Sequence, residues 1–302
     1  MSHDAKNLAD HRFLGHTERG TPAWIDEHLL AADLHITVGL IEPHLMLGFS
    51  GGRKLIAPGV AAQETIKVIH SPRFMREERA TEGSIRENPL HQELLAIARM
   101  ARQDFILDIT LTPSREISGV FAGNPEQAHA AGVDFLCESS TVDLDEPVDA
   151  VITSAAGYPL DLTFYQTIKG ITAAQHILRP GGKILVVAEC GEGIGSPEFA
   201  GKLSQYRGAQ EYLDEIQNIP VEVDQWQLEK LALVERKHEV LFYTPGVSSQ
   251  ACGAMGQRCY SSAQSALDAL FRCLPARARV ALIPDGPYAY ARLASCASLA
   301  LA

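Results

Sequence analysis

The sequence holds no apolar run long enough to cross a bilayer, and its opening residues, Met1-Ser2-His3-Asp4-Ala5-Lys6, contain no apolar core of the kind a secretory signal needs. Positive charge is in short supply. Twenty-six lysines and arginines stand against 37 aspartates and glutamates, a formal net charge of −11. That balance argues against general nucleic-acid binding and offers nothing to an anionic membrane surface. The six cysteines, Cys137, Cys190, Cys252, Cys259, Cys273 and Cys296, include no C-x-x-C pair, so a structural zinc site is not expected. In a chain of this length without a signal they read as free thiols, mostly buried, in a reducing cytoplasm. There is no internal repeat and no low-complexity segment. What is left is a globular chain of 302 residues, enough for one or two domains.

Residues 1–22 are polar and carry His3, His11 and His16. Ile25, Leu29 and Leu30 share a helical face, which predicts a helix over 23–32. The apolar run Leu34 to Ile41 predicts a buried strand. Asn88-Pro89 predicts a capped helix through Ala101, and Asn124-Pro125 another that ends near Gly132. Strands are expected over 105–111 and 116–121. The acidic, aperiodic stretch Glu138 to Pro147 predicts a boundary. Beyond it the pattern restarts as strands at 148–154, 183–188, 240–243 and 279–283. Helices are expected between them over 163–178, 197–216, 225–236 and 261–273. Alternation of this kind implies parallel βαβ units. The expected fold class is α/β. A partial N-terminal α/β domain covers 1–143, a Rossmann-like C-terminal domain covers 147–284, and a cleft lies between them. The small apolar tail, 285–302, is expected to pack back.

Glycine crowds one stretch, Ile41 to Gly59, which carries Gly48, Gly51, Gly52 and Gly59. Glycines in such number mark backbone with positive φ or backbone pressed close to a neighbour. His44 precedes them, Lys54 follows, and a short helix from Ala61 closes on His70. A P-loop reading fails, because Arg53 precedes the lysine and Leu55 stands where the metal-binding hydroxyl belongs. Lys54 is either a solvated turn lysine, or an anion-facing or nucleophilic amine. His70 is either packed near helix-terminal carbonyls or a neutral imidazole ligand, which nickel accepts. His44, after a strand's C-terminal end, suits a general acid/base about as well as a turn histidine satisfied by backbone.

A second cluster follows the first strand of the second half: Gly157-Tyr-Pro-Leu-Asp161, then Tyr165-Gln166-Thr-Ile-Lys169-Gly170. Tyr165 and Lys169 are neighbours on one helix face, near an N-terminus that attracts carboxylates and phosphates. The bland reading is a buried tyrosine and a surface lysine. Gly191-Glu-Gly-Ile-Gly195 lacks the third glycine of a dinucleotide loop, since position 196 is Ser196. It is expected to be a loop near the cleft. Trp226 is either a core anchor or part of the site.

Together these stretches resemble the nickel-dependent lactate racemase family. The matching residues are Glu42-Pro43-His44, Gly48 to Lys54, Pro58-Gly59, Thr65 to His70-Ser71, Gly157 to Asp161, Tyr165 to Gly170, and the helix start at Trp226. The resemblance implies a nickel-pincer nucleotide as cofactor. This is a pyridinium mononucleotide whose thioamide and thiocarboxylic acid groups hold nickel. It implies Lys54 as the covalent attachment point, with Gly51, Gly52, Tyr165, Gln166, Lys169 and Trp226 around cofactor and substrate. His70 would be the nickel ligand and His44 an acid/base histidine. The implied reaction inverts C2 of a small 2-hydroxy acid by hydride transfer to and from the cofactor. Cofactor-biosynthesis proteins would be partners. The family also carries a preceding segment with Asp-x-Thr-Arg and Gly-Thr-His-Arg-Pro motifs, the latter holding a second histidine, and neither motif occurs in these 302 residues. The expectation is therefore slow or no racemisation by the chain alone, a separate N-terminal polypeptide as a further partner, and an exposed apolar patch or open strand edge in the first domain. The alternative is a cofactor- or metal-binding protein without turnover.

Overall fold

Two asparagine–proline pairs open the two long helices of the first half. Asn88 Oδ1 accepts from the amides of Leu90 and His91, and Asn124 does the same for Glu126 and Gln127. Each thereby satisfies donors that a helix start otherwise leaves orphaned. The helices run Pro89–Met100 and Pro125–Ser140. In this computed structural model, which describes residues 2–253 and 255–294, the chain divides into two compact units, one reaching to Thr141 and the other starting at Val142.

The first unit is built on a three-stranded sheet. Strand Phe105–Leu111 lies in the middle, parallel to Ile36–Leu40 and antiparallel to Ile117–Gly123. A separate hairpin pairs His11–His16 with Pro22–Asp26. Two sequence expectations change here. The helix over 23–32 is instead that second hairpin strand, followed by one short turn, Glu27–Leu30. Ala23 and Ile25 are both fully buried, a period of two that the neighbouring leucines mask. The strand expected to be buried is exposed on one face, where Ile36, Val38 and Leu40 stand beside Phe105 and Leu107, with Ile117 and Val120 on the third strand. Among the described residues its outer edge pairs with no other strand.

Gly132 does not end its helix. A Cβ there would fall 2.2 Å from Ile41 Cδ1, so the glycine is where the helix presses onto the sheet. The helix runs on to Ser140, and the acidic boundary stretch is a short strand, Thr141–Leu144, paired with Tyr290–Leu293. Of the tail expected to pack back, residues 295–302 lie outside the described residues.

The second unit holds a five-stranded parallel sheet in the order Arg258–Cys259, Glu239–Tyr243, Leu178–Val187, Val148–Ser154, Val280–Ile283. Its strands are near-continuous apolar runs because both faces are covered. Val151, Ile184, Val186 and Phe242 pack with Phe164, Ile168, Leu228 and Leu231 on one side. Ala150, Leu185 and Leu241 pack with Ala266, Ala269 and Leu270 on the other. Leu178–Val187 begins earlier than expected and passes through Pro180-Gly181-Gly182 with a break in register, while the preceding helix stops at Ala174. The expected 197–216 helix is two, Pro197–Gln205 and Ala209–Glu215. Not all cysteines are free: Cys252 and Cys259 form a disulfide, whereas Cys190 and Cys273 are free thiols. A seven-residue separation gave no spacing signal, and the helical turn Ser249–Cys252 brings the pair together. No helix among the described residues is long and apolar enough to cross a membrane.

Glu235, at the end of helix Gln225–Glu235, gives this unit a pH dependence. Burial pushes its carboxyl from 4.5 up to about 7, against the pull of the Gln257 amide at 3.2 Å. Held more tightly in the folded state, its proton contributes stability that is whole below about pH 4.5 and lost as pH rises through about 7. The loss is of order 3 kcal/mol. Glu235→Gln is expected to stabilise the protein at pH 8 and to leave it nearly unchanged at pH 5. Urea midpoints at both pH values measure this, and an equal shift at both would contradict it.

Candidate functional site

The glycine-rich stretch of the first unit is held from beneath by Arg53, one of the most deeply buried large side chains, 1% exposed. Its guanidinium donates to the carbonyls of Leu47 at 2.9 Å and Phe49 at 2.8 Å, and lies 2.7 Å from His129 Nε2. Burial pulls its pKa down to about 9, against the opposing charge of Asp108. Burial, with Arg53 adding to it and the Ser50 carbonyl at 2.8 Å from Nε2 opposing it, lowers His129 to about 3, so this ring is neutral. Asp108 is fully buried and receives the Gly52 amide at 2.6 Å. Burial raises its carboxyl above the usual range although Gly52 and Arg53 oppose that.

This framework explains the glycines. Gly51 and Gly52 have φ of +78° and +51°, and a Cβ would stand 2.6 Å from Asp108 Oδ2 at the first and 2.9 Å from His129 at the second. Gly48, at φ +74°, would meet the Ser84 carbonyl at 2.0 Å. The loop therefore closes on its own side chains, and the Gly52 amide is already used by Asp108. Asp108, His129 and the burial of Arg53 went unread in the sequence. The one signal was an aspartate inside the apolar strand Phe-Ile-Leu-Asp-Ile-Thr-Leu.

With Arg53 turned inward, Lys54 takes the half-buried side of the one-turn 3-10 helix Gly52–Leu55. Its backbone is tied at both ends, Lys54 N to Gly51 O and Gly59 N to Lys54 O. Helix Gln63–Ile69 follows, with Thr65 Oγ1 fastened to Pro22 O at 2.7 Å, and delivers His70 at its C-cap. His70 Nδ1 donates to Ile66 O at 2.8 Å, which leaves the lone pair of the neutral ring on Nε2. Burial lowers its pKa to about 4, the Ile66 bond resists, and the charge of Lys54 lowers it further. The structure thus brings Lys54 within electrostatic reach of His70. His44 sits in the two-residue strand Pro43–His44, paired with Gly48–Phe49, and its Nδ1 faces the Met46 amide at 3.4 Å. A cavity of about 580 Å³ in the same unit takes in Arg53, His91 and His129 but not His44, Lys54 or His70.

In the second unit the other cluster lies at the carboxyl ends of the parallel strands. Successive strands add to one side of Val148–Ser154, and Val280–Ile283 returns to the other, so the chain reverses direction beside that strand. Crevices at such reversals are where α/β sheets take ligands. Helix Phe164–Ala174 starts there, pressed so close that a Cβ on Gly170 would lie 2.3 Å from Ser154 O. The helix start is not an open anion site, because the Phe164 and Tyr165 amides donate to Gly193 and Ile194 carbonyls. The Gly191–Gly195 loop is thus a cover for this helix. Trp226, 8% exposed, donates its indole N–H to Tyr165 Oη at 3.1 Å, and Gln227 holds Tyr165 O at 3.0 Å. Burial, then Asp224, raises the Tyr165 phenol well above its usual value, so it stays protonated. Gln166 Oε1 is buried and finds no hydrogen-bond partner among the described residues, which is costly unless a ligand donates to it. Lys169 is half-buried on the same helix.

A family model of the lactate racemase N-terminal domain matches residues 1–83, and one of the lactate racemase C-terminal domain matches residues 144–288. The lactate racemase of Thermoanaerobacterium thermosaccharolyticum is 33% identical over 290 residues, which is 94% of this chain and 67% of that protein. The lactate racemase of Lactiplantibacillus plantarum is 34% identical over 276 residues, 90% of this chain and 65% of that protein. This chain thus spans about two thirds of their length. The structure of the Thermoanaerobacterium lactate racemase apoprotein matches with a TM-score of 0.90 at 32% identity, over 96% of this chain and 70% of that one. A Thermotoga maritima protein shares the fold at 16% identity with a TM-score of 0.71.

Proposed function

Because the chain belongs to the lactate racemase family of isomerases, we propose that it carries cofactor- and substrate-holding residues of a racemase that inverts C2 of a small 2-hydroxy acid. The observation that carries this reading is the state of His70. It is a buried neutral imidazole with Nδ1 fixed on a backbone carbonyl, and the amine-bearing Lys54 lies within its electrostatic reach. A neutral imidazole so oriented is a ready ligand for nickel.

The amine of Lys54 and the imidazole of His70 are the donor types that the family's cofactor would need. Lys54 would bond the nickel-pincer nucleotide covalently, and His70 would hold the nickel through Nε2. Gly51 and Gly52 would shape the loop at the attachment point. The Gln166 amide oxygen is the buried acceptor awaiting a donor. When bound, the group would supply a reversible acceptor for the C2 hydride. The chain's own work is to orient and to move a proton. Lys169 would face the substrate carboxylate, and Tyr165, held by Trp226, would wall the site with a protonated phenol. His44 would exchange the hydroxyl proton at Nε2. For that, Nδ1 must carry the ring's hydrogen, and the 3.4 Å contact with Met46 N–H is long enough to yield at little cost. The same proposal takes the second unit as Rossmann-like and the protein as cytoplasmic. It also needs cofactor-biosynthesis proteins to load Lys54, and the family's second histidine from polypeptide beyond these residues.

The test is chiral chromatography of D- and L-lactate with protein whose intact mass shows the adduct, with and without the relatives' additional segment supplied as a second polypeptide. Conversion of either enantiomer toward an equal mixture supports the reading. Fully loaded protein that converts neither, with the segment present, overturns it. His44→Asn is expected to lower kcat/KM by about 10²–10⁴. Both directions should fall together, because mirror-image substrates have an equilibrium constant of one. An unchanged rate would remove His44 from the proton step.

A further inference from the structure

The polar N-terminal segment contains histidines that the reaction above does not use, and the fold gathers two of them. His3, His11 and Asp26 present ligand atoms that all lie within 4.8 Å of one another. His3 Nδ1 lies 2.8 Å from Asp26 Oδ2, and the His3 and His11 rings meet edge to face with centroids 5.1 Å apart. We propose that His3, His11 and Asp26 form a binding site for a divalent transition-metal ion of the zinc class, separate from the Lys54–His70 pair.

Three features favour a metal site over a hydrogen-bonded cluster. His11 is 6% exposed, and its Nε2 is buried without any hydrogen-bond partner among the described residues. Its Nδ1 lies 2.9 Å from the Asn7 carbonyl, which places the proton there and leaves the Nε2 lone pair unused. A backbone carbonyl behind one nitrogen is the usual support of a metal-bound imidazole. Asp26 is held likewise. Its Oδ1 accepts from the His28 amide at 2.9 Å and faces the His28 ring at 3.0 Å, which turns Oδ2 toward His3. Two imidazoles and one carboxylate are a donor set that zinc takes, with solvent as the fourth ligand. Tetrahedral zinc with bonds of about 2.1 Å holds its ligand atoms about 3.4 Å apart, so the longest separation in the cluster, within 4.8 Å, must close while the 2.8 Å His3–Asp26 pair opens. His3 is 20% exposed and has room to do so by exchanging its bond to Asp26 for one to the ion.

The place of the site in the chain suggests what the ion would do. Asp26 N donates to Val60 O, Ala62 N to Trp24 O, and His3 Nε2 lies 3.2 Å from Ala61 O. An ion here would clamp the N-terminal segment and strand Pro22–Asp26 onto the turn that leads from Lys54 to the His70 helix.

The test uses the full 302-residue chain without a histidine tag, stripped with chelator and titrated with zinc chloride by calorimetry. A His70→Ala background keeps the outcome independent of the nickel reading. One equivalent of zinc is expected, together with a raised thermal midpoint. Asp26→Asn, which keeps the helix-capping oxygen, and His3→Ala, at a partly exposed position, should each weaken binding at least tenfold. His11→Gln should do the same, with circular dichroism confirming the fold. No zinc uptake in the His70→Ala protein would overturn the proposal. So would uptake that survives both Asp26→Asn and His3→Ala undiminished.

Discussion

Replacing Lys54 by arginine is expected to leave the protein folded, its mass without adduct and its racemase activity at background. The backbone bonds Lys54 N to Gly51 O and Gly59 N to Lys54 O hold the turn, and Arg53, not Lys54, supplies the buried anchor. Arginine keeps the positive charge that His70 feels, so the electrostatics of the pair are preserved. What is lost is the nucleophilic amine, since a guanidinium stays protonated and does not attack. Intact-mass spectrometry after co-expression with the loading proteins reads the adduct directly. An arginine variant carrying the same added mass would move the attachment point elsewhere.

Replacing Arg53 by methionine is expected to cost about 3–5 kcal/mol, the range for breaking a buried hydrogen-bonded network and leaving a buried carboxylate without its compensating charge. The guanidinium is 1% exposed, and the Leu47 and Phe49 carbonyls it satisfies have no water to turn to. Asp108 would lose its compensating charge in a fully buried position. Because these bonds shape Gly48 to Gly52, the adduct at Lys54 should diminish along with stability. Urea unfolding compares the two proteins, and a loss below about 1 kcal/mol would mean that Arg53 does not staple the loop.

Some local signals in the sequence carried through. The Asn88 and Asn124 caps lie two and three residues from the amides they satisfy, so the helix starts were legible. The alternation of strands and helices after Val148 was legible too, because a parallel sheet covered on both faces needs apolar strands and crossover helices in turn. The order of His44, Lys54 and His70 around a glycine-rich turn was enough to suggest the family. It was not enough to say which way each side chain faces.

Contacts between distant residues decided the rest. Arg53 and Lys54 are adjacent cations in the sequence, and only His129, 76 positions away, and Asp108 show that the first is buried structure, while the second stays half-buried on the same turn. Gly132 reads as a helix stop until Ile41 packs against it. Ala23 and Ile25 read as helical until the hairpin with His11–His16 gives them a period of two. His3 and Asp26 stand 23 residues apart and meet at 2.8 Å. Propensity, capping and turn chemistry act over a few residues and are written in the sequence, whereas burial, charge pairing and ligand geometry are set by neighbours that only the folded chain supplies.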